Sequence, residues 1–146
     1  SLESYFYKYF YEYIKSLKKV KTKKEFGQIR NATSEIGMLK LAIRDISTEF
    51  SYIKKEFKKI TNFKQFCKDV INGNNIDPNN WNENDIKKFS NILSDIIYLI
   101  RNNIVHTKEA DKGARSLNRS EQNTLIEINK LFLFIVRKIF DKNIKW

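Results

Sequence analysis

Arg101 and His106 are the residues of this chain best suited to proton transfer at a phosphate. His106 is its single histidine. An unperturbed imidazole has a pKa of about 6.5 and can give or take a proton near neutrality. Arg101 brings a permanent charge and a planar fork of donors that suits phosphate oxygens. Arg101 and Lys108 nearby favour the neutral, base-competent imidazole. Asn102 adds an amide beside the pair. Five positions along a regular α-helix turn the chain so that the two side chains diverge by about 140°. They converge on one ligand only if the helix ends or bends near His106, and the polar stretch from Thr107 is where such an end is expected. The other reading is that both residues only cap a helix C-terminus through its dipole.

The elements that must position this pair read as helices. Phe26, Ile29, Thr33, Ile36, Leu39, Ile43, Ile46, Phe50, Ile53, Phe57 and Ile60 recur at alternating steps of three and four, the spacing of one helix face. Thr22 and Glu25 read as a capping box at its start. Gly27 and Gly37 are the expected breaks, so one long helix and two shorter ones both fit. Before it, Leu2, Phe6, Phe10, Tyr13 and Leu17 form a stripe, with further tyrosines on the other faces, suited to core packing or to contact with another subunit. Phe63, Phe66, Cys67, Val70 and Ile71 predict a short helix, with Cys67 as a buried small hydrophobe. The run from Asn72 to Asn80 predicts a loop.

Asn82, Glu83, Asn84 and Asp85 predict a helix start. The stripe Ile86, Phe89, Leu93, Ile96 and Ile100, widened by Ile92, Ile97, Leu99 and Ile104, makes this the most apolar helix, and it leads into the Arg101–His106 run. After the polar stretch, Asn118 and Glu121 predict a cap on a last helix carrying Leu125, Ile128, Phe132, Ile135 and Ile139. The expected fold class is all-α, a bundle of four to five helices.

Composition sets the outer bounds. The chain has 146 residues, the length of one domain. Four glycines and one proline make an all-β fold unexpected. One cysteine excludes an intramolecular disulfide, and with one histidine it excludes a Cys/His zinc site. No metal or other cofactor is expected. No run of about 18 apolar residues is present, so no membrane span is expected. A secretory signal pattern is also lacking, and a cytoplasmic location is the expectation. The first residue is Ser1, which fits a domain cut from a longer protein. A net charge of +11 predicts attraction to polyanions, nucleic acid or an acidic membrane face, and the spread of the lysines round the helices leaves no single basic amphipathic face for a membrane. A compositional bias towards Lys, Asn and Ile is the other source of that charge.

The segment Arg101-Asn102-Asn103-Ile104-Val105-His106 resembles the R-x4-6-H motif of HEPN domains, in which Asn, Asp or His commonly follows the arginine. Its position late in a helical chain, between an apolar helix and a final helix, resembles that family too. The resemblance implies a HEPN-like bundle over residues 1–146. It also implies a metal-independent endoribonuclease acting as a homodimer, with the two motifs in a shared cleft. Such domains serve in toxin–antitoxin, phage-defence and CRISPR-associated systems and in RNA processing. HEPN toxins paired with nucleotidyltransferase antitoxins carry Tyr two residues after the histidine, where this chain has Lys108.

RNA is the expected substrate. Cleavage without a metal needs a base for the 2′-hydroxyl, an acid for the leaving 5′-oxygen and cations for the phosphorane charge. One histidine per chain cannot be both in one step, whereas a two-fold dimer supplies two. His106 is then the expected acid or base. Arg101 is expected to hold the phosphate, and Asn102 to orient the phosphate or the imidazole. Lys108, Lys112, Arg115 and Arg119 are expected to guide the RNA backbone, or else to line a solvated loop. Control would come from a regulatory domain or an antitoxin chain. The alternatives are an inactive helical module that binds RNA or protein, and a dimerisation domain driven by the aromatic helix.

Overall fold

The computed structural model describes residues 35–100, 103 and 117–143. It is all-α: these residues form five α-helices and, among them, no strand. The helices are α1 (Glu35–Arg44), α2 (Phe50–Lys59), α3 (Phe63–Val70), α4 (Ile86–Ile100) and α5 (Arg119–Asn143). Three-residue 3-10 turns at Ser47–Glu49 and Pro78–Asn80 lie between them. The aromatic stripe Leu2–Leu17 and the Thr22–Glu25 cap lie outside the described residues.

The described part of the long apolar stripe divides into two helices, at a place other than Gly37, while Gly27 lies outside the described residues. Gly37 is buried inside α1 and does not interrupt it. The break falls after Arg44, where the amides of Asp45 and Ile46 donate to the carbonyls of Ala42 and Ile43 at 3.2 and 3.1 Å. These i→i+3 bonds tighten the last turn. Ile43, Ile46, Phe50, Ile53 and Phe57 stay buried across the break, so the apolar phase survives it.

Helix α1 packs most extensively on α4, while α5 runs against α1, α2 and α3. Small, fully buried Ser90 and Ser94 sit on α4. Their hydroxyls donate to the carbonyls of Lys87 and Asn91 at 2.9 and 3.0 Å, so neither is left unsatisfied in the core. The Arg44 Nε donates to the Ser90 Oγ at 3.3 Å. On the outer side of α4, partial burial raises the Asp95 carboxyl above the ordinary aspartate value, and Lys40 opposes that shift.

One apolar core joins all five helices. At its aromatic centre, Phe57 meets Phe63 (5.2 Å between centroids), Trp81 (5.1 Å) and Phe132 (6.4 Å). Phe50 stacks on Phe89 at 4.3 Å. Trp81 reaches this cluster because Asp77 caps the preceding turn. Its carboxylate accepts from the Asn79 amide at 3.0 Å, and Pro78 follows at the first turn position.

Cys67 is buried in α3, and burial pushes its thiol from 9.0 up to about 12. The thiolate is the reactive form. At pH 8 a thiol reagent will therefore label the folded chain far more slowly than the urea-unfolded chain. Equal labelling rates would contradict this packing.

Candidate functional site

Helix α4 delivers the chain to the Arg101–His106 run. Asp85 caps it, its carboxylate accepting from the Lys88 amide at 3.0 Å. The preceding turn is closed by the Asn84 amide on the Asn82 side-chain oxygen at 3.0 Å. Beside it the Lys54 ammonium bonds Glu83 at 3.1 Å and holds that carboxyl below the usual glutamate value. Ile86, expected to be buried, is 44% exposed, because it occupies the first turn next to the cap and the core contacts begin at Phe89. Phe89, Leu93, Ile96, Ile97 and Ile100 are all buried, so α4 is anchored up to its last residue.

Asn103 lies within the motif. Its backbone is π-helical, and its side-chain amide donates to the Leu99 carbonyl at 2.8 Å. A π turn closes i→i+5 and is found most often as a single widened turn within a helix. Arg101, Asn102, His106, Lys108, Lys112 and Arg115 lie outside the described residues.

Ahead of α5, Leu117 packs against the core. Asn118 and Glu121 form the expected capping box. The Glu121 amide donates to the Asn118 Oδ1 at 2.8 Å, and the Asn118 amide donates to a Glu121 carboxylate oxygen at 3.0 Å. Arg119 is therefore the exposed first residue of α5 and belongs to the helix, not to the preceding loop. A cation at a helix N-terminus opposes the macrodipole. Replacing Asn118 with alanine should cost about 1 kcal/mol, read as a lower urea midpoint, while serine should restore most of it. An unchanged midpoint for alanine would show that the box does not hold the start of α5.

Among the described residues, no group of three or more His, Cys, Asp or Glu side chains could hold a metal ion. No described helix is long and apolar enough to cross a membrane. A feature that sequence reading passed over is the lysine set Lys58, Lys64 and Lys68. These side chains line one groove although they come from two helices. Their separate helical phases gave no signal of that meeting.

The chain matches no protein-family model, and no curated protein or solved structure matches it.

Proposed function

We propose that the chain is a metal-independent endoribonuclease with a composite site built by two copies. The observation that carries this reading is the R-x4-H spacing of Arg101 and His106, set directly after the buried end of α4 with π-helical backbone at Asn103 between them. Convergence of the guanidinium and the imidazole on one phosphate is part of the proposal. The capped α5 and the exposed Arg119 at its start add support.

The chemistry is transesterification at one phosphodiester. The 2′-oxygen attacks phosphorus, the bond to the 5′-oxygen breaks, and the products are a 2′,3′-cyclic phosphate and a free 5′-hydroxyl. One His106 takes the 2′-hydroxyl proton while His106 of the partner subunit protonates the leaving oxygen. Arg101 stabilises charge on the phosphorane oxygens, and Asn102 orients the phosphate or the imidazole. Lys108, Lys112, Arg115 and Arg119 guide the strand. Such an activity fits a toxin or phage-defence setting inside the cell, restrained by a further domain or an antitoxin chain.

The test is cleavage of a single-stranded RNA in the presence of EDTA. The proposal expects undiminished cutting, cyclic-phosphate ends and no cutting where the residue 5′ of the scissile bond is 2′-deoxy. Strict magnesium dependence, or cutting of DNA, would overturn the mechanism. Folded protein that binds RNA without ever cutting it would leave the binding-module alternative.

A further inference from the structure

A groove of about 890 Å³ lies between the end of α2, the length of α3 and the loop that follows α3. Its floor includes buried Phe57, Phe63 and Pro78. Its rim carries the exposed ammonium groups of Lys58, Lys64 and Lys68 and several exposed side-chain amides, Asn74 and Asn75 among them. The single acid of the lining, Asp77, is engaged by the Asn79 amide and lies 3.7 Å from the Lys64 ammonium. Among the described residues, Lys58 and Lys68 have no carboxylate within ion-pair distance. Of the other lysines of α2, Lys54 pairs with Glu83 and Lys59 with Glu56, while exposed Lys55 lies outside the groove lining. Lys58 and Lys68 thus place positive charge without an ion-pair partner on the groove rim.

The groove is also held in shape. The Gly73 amide donates to the Cys67 carbonyl at 2.8 Å, and the Ile76 side chain packs where a Gly73 Cβ would stand. On the opposite side, the Thr61 carbonyl accepts from the Thr124 hydroxyl at 2.8 Å, and the Thr61 amide donates to Glu127 at 3.1 Å. Both walls are thus tied to helices, so little ordering cost remains when a ligand enters.

We infer that this groove is a binding track for the backbone of single-stranded RNA, separate from the Arg101–His106 run. Choosing RNA as the polyanion rests on the ribonuclease reading. The groove's own chemistry specifies an extended polyanion that also offers hydrogen-bonding edges. Lysines neutralise phosphates, and the amides can both donate to and accept from bases and 2′-hydroxyls. No exposed aromatic side chain lines the groove, so base stacking contributes little. Binding there is electrostatic and tolerant of sequence.

The experiment is fluorescence anisotropy of a labelled 2′-O-methyl oligouridine, which 2′-hydroxyl attack cannot cut, titrated with the full chain at several salt concentrations. Lys58→Gln/Lys68→Gln should weaken binding about tenfold at low salt and lower the salt slope by about 1.4, the loss of two single-strand phosphate contacts. Lys58→Arg/Lys68→Arg should bind like wild type. Lys87→Gln/Lys142→Gln, exposed lysines outside the groove, removes the same net charge and should change the affinity less than twofold. Equal losses for the two glutamine pairs would reduce the effect to net charge and overturn the inference. Binding to phosphatidylserine vesicles without binding to the oligonucleotide would overturn it as well. The two readings fail separately. A chain that never cuts RNA but shows the Lys58/Lys68 dependence keeps the track, and one that cuts RNA without that dependence loses it.

Discussion

Replacing His106 with alanine is expected to lower RNA cleavage at least about a hundredfold, the usual scale of one general acid–base group. The thermal transition should stay in place. Helix α4 is anchored up to Ile100 by its own buried residues, ahead of the run that carries His106. Arg101→Ala should cause a comparable loss, because the phosphorane charge would lack its guanidinium. Mixing gives the sharper readout. If each cut draws on both copies, an excess of the His106→Ala chain should suppress wild-type activity by forming mixed dimers with one imidazole. Activity that merely dilutes in proportion would remove the composite site while leaving a nuclease.

The largest loss of stability is expected at Phe57. Its ring has no exposed surface and touches residues of three other segments. Phe57→Ala should cost about 3–5 kcal/mol, from lost transfer energy and an unfilled cavity. A domain of ordinary stability holds only about 5–15 kcal/mol, so the variant should lie near or past its unfolding midpoint at 37 °C. Urea unfolding followed by far-ultraviolet circular dichroism measures the change. Phe57→Leu keeps more of the volume and should lose clearly less. A loss below about 1 kcal/mol for alanine would mean that the ring cluster is not the centre of the core.

Much of this core could be read from spacing alone. Leu125, Ile128, Phe132, Ile135 and Ile139 are all buried, as their period requires. The caps at Asp85 and Asn118 were legible because a short polar side chain before an apolar run has one economical use. The break after Arg44 was not legible, since a 3-10 turn can change the backbone without changing which side chains face inward. Gly37 misled for the converse reason: in a helix buried on that side, its low propensity is outweighed by packing. At the candidate site, residue types suggested the chemistry and a regular helix argued against it. The π turn at Asn103 could not be anticipated, because no residue pattern in the run distinguishes an i→i+5 turn from an i→i+4 one. The groove was hidden too, because Lys58 and Lys68 belong to separate helices and come to one groove only through the path of the Ile60–Asn62 connection.

The reciprocal bonds between Asn118 and Glu121 have a bearing on inheritance. Each side chain satisfies the backbone amide of the other residue, so the step of three between them is constrained more tightly than their identity. Descendants of this chain would therefore exchange serine or threonine for the one and glutamine for the other while keeping that interval.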